Sequence, residues 1–223
     1  MGYKISIDGP SGAGKGCVAK GLSERLDVLN IDTGAMYRTL ALYCIENDVN
    51  VNNEKDVVSI LKDVDIYLKN ANSVVKVFLN DVDVSHKIRT EQVGLVAAKI
   101  AHILDVREYM RENQRAMAKN QNVVAEGRDI GSVVFPDADL KIFLTAAVET
   151  RAQRRYKDML EKNKETTYDE VLEYIMKRDE LDRTRKISPL IKAEDMVEID
   201  NTNMSKEQVV EEVLKLVKEK GLV

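Results

Sequence analysis

The sequence has no tryptophan, two cysteines, two histidines and three prolines among its 223 residues, and aromatic side chains make up 5% of it. Each shortage excludes something. Cys17 and Cys44 are too few for a disulfide framework, and a reducing cytoplasm is the simplest setting. His86 and His102 form no Cys/His cluster, which argues against structural zinc. No apolar run approaches the roughly 18 residues that cross a bilayer, so no membrane span is expected. The opening MGYKISIDGP enters a strand-like run at once and leaves no room for a signal peptide. Lys plus Arg number 34 against 38 Asp plus Glu, a net charge of −4. A mildly acidic chain is a poor general binder of nucleic acid.

What is present suits a folded enzyme-sized chain. Hydrophobic residues are 44% and charged residues 32%, which excludes a disordered chain. The length allows one ordinary domain, or one with a small insert. Residues 4–8 alternate as a strand and run into a Gly/Pro/Ser cluster. Residues 15–26 place Val18, Leu22 and Leu26 four apart, as a helix does. A short buried strand is expected at 28–32, then helices at 35–47 and 54–63. Residues 64–84 turn β-branched and aromatic, with Asn, Asp and Ser turns, predicting two or three short antiparallel strands. From about 90 to 120 the chain reads as helix in one or two pieces. Strands follow at 122–126, 139–144 and 195–199, with helices at about 147–162 and 168–184. Thr167–Glu170 and Ser205–Gln208 have capping-box spacing, the second before a helix whose Val209, Val210, Val213, Leu214 and Val217 share one face. Strands interleaved with helices predict an α/β fold with a parallel sheet.

Gly9-Pro10-Ser11-Gly12-Ala13-Gly14-Lys15 fits G-x-x-x-x-G-K between a strand and a helix, the context a phosphate-binding loop requires. Its amides and the helix N-terminus would cradle a polyphosphate, and Lys15 would reach the β and γ oxygens. The lysine is followed by Gly16 and Cys17 rather than by Ser or Thr. A thiol is a poor ligand for a hard cation, so a metal would lean on water, nucleotide phosphates and a carboxylate such as Asp32 or Glu126. Cys17 reads as a small packing residue rather than a nucleophile.

Asp32-Thr-Gly-Ala-Met-Tyr-Arg38 ends the second strand and opens a helix, with Thr33 placed to cap it and Arg38 able to reach an anion. Glu126-Gly-Arg-Asp129 follows a later strand. Ligands of open α/β sheets bind beyond the strands' carboxyl ends, so segments 8–17, 32–38 and 126–129 should converge on one crevice. Six arginines fall between 151 and 185: Arg151, Arg154, Arg155, Arg178, Arg183 and Arg185. That clustering favours phosphate contact. Arg178, Asp182 and Arg185 share a helix face, which suits a salt-bridge ladder equally well.

IDGPSGAGKG, IDTGAMYR, EGRDIGSVVFPDA, KIFL and KRDELDRTRKISPL, in this order, resemble the bacterial cytidylate kinases, nucleoside monophosphate kinases of the P-loop class. The resemblance covers essentially the whole chain, including the β insert at 64–84. It implies a P-loop NTPase-type parallel sheet flanked by helices, with a core at about 1–40, 86–146 and 186–223. A nucleotide-binding insert at about 41–85 and a helical lid region at about 147–185 complete the implied fold. It implies transfer from ATP to CMP or dCMP with Mg²⁺, no nucleic-acid or membrane partner, and a monomer in the cytoplasm. Gly9 to Cys17 would hold ATP. Thr33, Arg38, Arg128 and Arg185 would hold the acceptor phosphate, Arg178 and Asp182 the ribose, and Arg107 and Asp129 the cytosine. Arg151, Arg154 and Arg155 match the lid arginines. The pattern is broken at Ala98, where a serine usually stands, at Cys17 for threonine and at Glu126 for aspartate.

Phosphoryl transfer needs positioning and positive charge rather than a side-chain nucleophile. Lys15, Mg²⁺, Arg128 and Arg154 would supply the charge. Asp32 either orients metal-bound water or simply starts its helix. Cytosine offers an N4 donor to Asp129 and N3 or O2 acceptors to Arg107; uracil reverses the pattern, which a polar site rejects by roughly 10⁴-fold or more. The competing expectations are another acceptor, such as UMP, AMP or shikimate, and a nucleotide-binding regulatory module without turnover.

Overall fold

The computed structural model describes residues 2–71, 74–161, 163 and 165–223. In chain order the elements are β1 (Lys4–Asp8), α1 (Lys15–Leu26), β2 (Leu29–Asp32), α2 (Thr33–Glu46), α3 (Glu54–Ser59), β3 (Ile66–Ala71), β4 (Val74–Leu79) and β5 (Val82–Asp83). Then come α4 (Glu91–Ile100), α5 (Leu104–Met117), β6 (Val123–Gly127), β7 (Leu140–Thr145), α6 (Val148–Glu161), α7 (Tyr168–Thr184), β8 (Val197–Asp200) and α8 (Lys206–Glu219). Strands β2-β6-β1-β7-β8 form a parallel sheet, and β3-β4-β5 form an antiparallel one. The expected α/β architecture and β insert are both present; the turn residues 72–73 of the insert lie outside the described residues.

The strand alternation explains the layering. In β1, Ile5 and Ile7 point into a core with Val18 and Leu22 of α1 and Val213 and Val217 of α8. Ser6 and Asp8, two apart, take the opposite face, as the pleat demands. On that side a second core joins Ile31, Met36, Leu40, Val77, Ile88, Val106 and Ile130. The insert shares this core and has no separate one among the described residues. Helices α6 and α7 instead pack through Ala152, Val171 and Ile175, a small cluster of their own.

The helix ends follow the sequence with three departures. Both capping boxes form, at Thr167/Glu170 and Ser205/Gln208. Asp32 rather than Thr33 caps α2, its Oδ1 accepting from the Ala35 amide at 2.8 Å, because Thr33 turns its hydroxyl to donate to the Glu126 carbonyl at 2.7 Å. The helix expected over 54–63 stops at Ser59 and resumes as a 3₁₀ turn at Leu61–Asp63. Residues Ile130–Val134 form a π turn.

Candidate active site

Over the carboxyl ends of β1, β2 and β6 lies a cleft of about 910 Å³, within the size usual for ligand sites. The three expected segments meet there: Ser11 to Cys17, Asp32 to Arg38 and Glu126 to Asp129 all contribute to its walls. Arg107, Arg155, Arg178 and Arg185 line it as well, and so does Ala98.

One side of the cleft is the loop before α1. That helix begins at Gly14 with no side-chain cap and no acid in its first turn, so the amides at its start stay available to an anion. Lys15 is buried and donates to the Pro10 carbonyl at 2.8 Å. Burial draws its pKa below the ordinary ammonium range, and Arg128 adds to this while Glu126 opposes it. Gly16 has a steric reason: a Cβ there would stand 2.8 Å from Oε1 of Glu126. Glu126 thus reaches the loop from β6, where it pairs in register with Asp32. Burial pushes the Glu126 carboxyl up, and Asp32 pushes it further.

Cys17 is exposed and lines the cleft, so it is not the packing residue expected from sequence. The helix faces the cleft at that turn, leaving nothing for the thiol to pack against.

Beyond the loop, the cleft is built on a set of shared ion pairs. Asp182, 3% exposed, accepts from Arg128 Nε at 2.8 Å and Arg178 Nε at 3.3 Å, with Arg185 at 4.0 Å. Burial alone would raise its pKa, but Arg128 and Arg178 hold it below the ordinary range. Arg178 and Arg185 of the salt-bridge ladder therefore also line the cleft, and Asp182 holds them there without lining it itself. Asp129 meets Arg107 at 2.5 Å and Arg185 at 3.7 Å. Nε of Arg107 and Nη2 of Arg185 are buried without a hydrogen-bond partner among the described residues. Such donors call for an acceptor the described residues do not supply, a water or a ligand. Arg38 bonds Asp32 at 3.3 Å, so Asp32 both starts α2 and steers that arginine. Tyr37 lies beneath, with the Arg107 guanidinium 6.0 Å from its ring centre; burial pushes its hydroxyl up to about 12.

Two of the three expected lid arginines stand elsewhere. Arg151 is buried and donates to Asp179 at 2.6 Å, to the Ser11 carbonyl at 2.8 Å and to the Ala146 carbonyl at 2.9 Å. Asp179 also accepts from the Ser11 amide at 3.0 Å. A buried guanidinium needs every donor matched, so Arg151 is committed to clamping the loop and does not face the cleft. The Ser11 amide is likewise engaged and not free for phosphate. Arg154 donates to the Asn201 side chain and carbonyl, both at 2.8 Å, and Asn201 in turn donates to the Ala13 carbonyl at 2.8 Å. Only Arg155 faces the cleft, 4.7 Å from the centre of the Tyr174 ring. Sequence reasoning missed Asp179, Tyr37 and Asn201. Asp179 sits inside KRDELDRTRKISPL, but its partner Ser11 is 168 residues away.

Among the described residues no group of three His, Cys, Asp or Glu side chains could hold a metal. The pair Glu126 and Asp32 at the loop nonetheless fits a hard cation that takes one or two carboxylates and fills its shell with phosphate oxygens and water.

An anion cradle at a helix start, facing an arginine-lined pocket above a parallel sheet, defines a P-loop kinase with two substrate sites. A solved structure of a protein from Eubacterium ventriosum shares this fold, with a TM-score of 0.54 and 12% identity over 97% of this chain and 98% of that one. The sequence profile of cytidylate kinase matches residues 5–219. A cytidylate kinase of Thermosipho melanesiensis is 49% identical over 220 residues, 99% of each chain. One of Carboxydothermus hydrogenoformans is 45% identical over 218 residues, 98% of each. The chain belongs to the cytidylate kinase family.

Proposed function

We propose that the chain transfers the terminal phosphoryl group of ATP to CMP or dCMP, giving ADP and CDP or dCDP, as a monomer in a reducing cytoplasm. The observation that carries this reading is the Arg107–Asp129–Arg185 cluster, with its two unpartnered buried donors, facing the phosphate loop across one cleft. No described helix is long and apolar enough to cross a membrane.

Of the loop Gly9 to Cys17, the amides other than that of Ser11 hold the donor phosphates, and Lys15 leaves the Pro10 carbonyl for a phosphate oxygen. Arg38, Arg128 and Arg185, with Thr33, take the acceptor phosphate; Arg178 and Asp182 take the ribose. Asp129 accepts from the cytosine amine, and Arg107 donates to its ring acceptors. Arg155 is the lid arginine that reaches toward the transferred group, and the cover of α6 and α7 over the cleft helps exclude water. Glu126 and Asp32 would hold Mg²⁺. When bound, that ion neutralises charge on the phosphate oxygens. The chain's own part is to align donor and acceptor in line and to place positive charge around the moving group.

The test is ADP release from ATP and Mg²⁺ over a panel of monophosphates. CMP and dCMP should far outrun UMP and AMP. Equal rates with UMP would remove Asp129 and Arg107 from base reading, and binding without CMP-dependent release would leave a regulatory module.

A further inference from the structure

Asp8 ends β1 and is fully buried, yet none of the substrate contacts above uses it. Both its oxygens are committed. Oδ1 accepts from the Ile130 amide at 2.8 Å and Oδ2 from the Gly131 amide at 2.7 Å. Those amides open the π turn that begins one residue after Asp129. The Asp129 carbonyl closes the same turn by accepting from the Val133 amide at 2.9 Å and the Val134 amide at 3.1 Å. The backbone of Asp129 is therefore held immediately on its C-terminal side by a carboxylate reaching over from β1. Ser6, on the same face of β1, closes the space further: a Cβ on Gly131 would stand 2.7 Å from its hydroxyl oxygen.

A carboxylate suits this place because it alone offers two acceptors of equal strength to two adjacent amides. Asparagine offers one and turns an N–H toward the other amide. A turn so loosened lets Asp129 shift relative to Arg107 and Arg185. We propose that Asp8 is a positioning residue for acceptor-base selection, acting through Asp129. The inference rests on the reading of Asp129 as the group that meets the cytosine amine.

The test is Asp8→Asn, with steady-state constants for CMP, UMP and ATP and a thermal midpoint. The CMP-over-UMP ratio of kcat/KM should fall by about tenfold to a hundredfold, the scale of a misplaced contact. The KM for ATP should move less than about threefold, since the Asp8 side chain bonds the Ile130 and Gly131 amides and none of the donor-loop amides that follow it in the chain. In the Asp129→Asn background, Asp8→Asn should leave the ratio where Asp129→Asn alone puts it. A residue that merely supports the fold would lower the midpoint and kcat for both acceptors alike, with the ratio intact. That outcome overturns the proposal, and so does a ratio that falls further in the double variant. Should Asp8→Asn not fold, Asp8→Glu keeps both acceptors on a longer arm and is read in the same way. A wild-type protein that ignores CMP would sink the acceptor reading itself; a selective wild type with an equally selective variant sinks only the role of Asp8.

Discussion

Removing the carboxylate of Asp179 should damage stability and ATP binding together. The pair it forms with Arg151 is buried, with side-chain exposures of 9% and 6%. Asp179→Ala would strand a guanidinium and the Ser11 amide at once. Breaking a buried pair from one side costs about 3–5 kcal/mol. At an unfolding entropy near 2.1 cal/mol/K per residue, a chain of this length should then melt roughly 6–11 °C lower. Ser11 lies in the phosphate loop, so the loop should lose order and the KM for ATP should rise by about tenfold. The KM for CMP should hold, because Asp179 touches nothing in the acceptor pocket.

The double variant Arg151→Met with Asp179→Leu separates the two effects. Replacing both partners by apolar groups of similar size is often neutral for stability. The melting temperature should therefore recover in part, short of wild type by the two unpaired Ser11 groups, while the KM for ATP stays high because the Ser11 amide and carbonyl still lack their partners. Calorimetry and steady-state kinetics on the three proteins suffice. A single variant that melts within about 2 °C of wild type with an unchanged KM for ATP would refute the clamp.

Gly16→Ala should lower kcat by about tenfold through the clash with Glu126, and adding Glu126→Asp should recover part of it; wild-type turnover in the single variant would contradict the steric reading. Cys17 should react with iodoacetamide, and ATP at about ten times its Kd should slow the reaction by about tenfold. Cys44, 1% exposed and pushed up to about 11 by burial, should react only in denaturant; equal labelling with and without ATP would place Cys17 outside the donor site. Burial raises Asp8 from 3.8 to about 6, against the two amides that lower it. The folded state then holds extra protons between those values, so this contribution to stability falls as pH rises through about 6. Between about pH 5 and about pH 8 the wild type should lose roughly 1 kcal/mol relative to Asp8→Asn in urea unfolding, and parallel curves would oppose the assignment.

The elements were legible wherever their signal is local. The run 15–26 is helix because its apolar residues repeat by four and glycine stands before it, and α1 keeps those bounds. The capping boxes are four-residue patterns and both form. The choice between Asp32 and Thr33 as cap was not local: either residue type serves, and the Glu126 carbonyl, 93 residues on, claims the threonine. The π turn depends on a carboxylate 122 residues earlier. The roles of Arg151 and Arg154 depend on Ser11 and Asn201, 140 and 47 residues away. Clustering along the sequence revealed that arginines gather near the site. It did not reveal which of them the protein itself would occupy.

The charge balance of the acceptor pocket explains why so many arginines remain there after the internal claims are met. Arg38, Arg107, Arg128, Arg178 and Arg185 share only Asp32, Asp129 and Asp182. Each arginine is held in place by a carboxylate, which fixes its rotamer before any ligand arrives. Yet two positive charges stay unbalanced in a partly buried site, where Arg107 stands close enough to Arg185 to disfavour its charge. Such an excess is costly unless a dianion completes it. A phosphate monoester carries close to two negative charges at neutral pH. A nucleoside without its phosphate would leave the excess uncompensated, and a monocarboxylate acceptor would cancel only half of it. The pocket is thus built for an acceptor that already bears a phosphate, before its base is read at all.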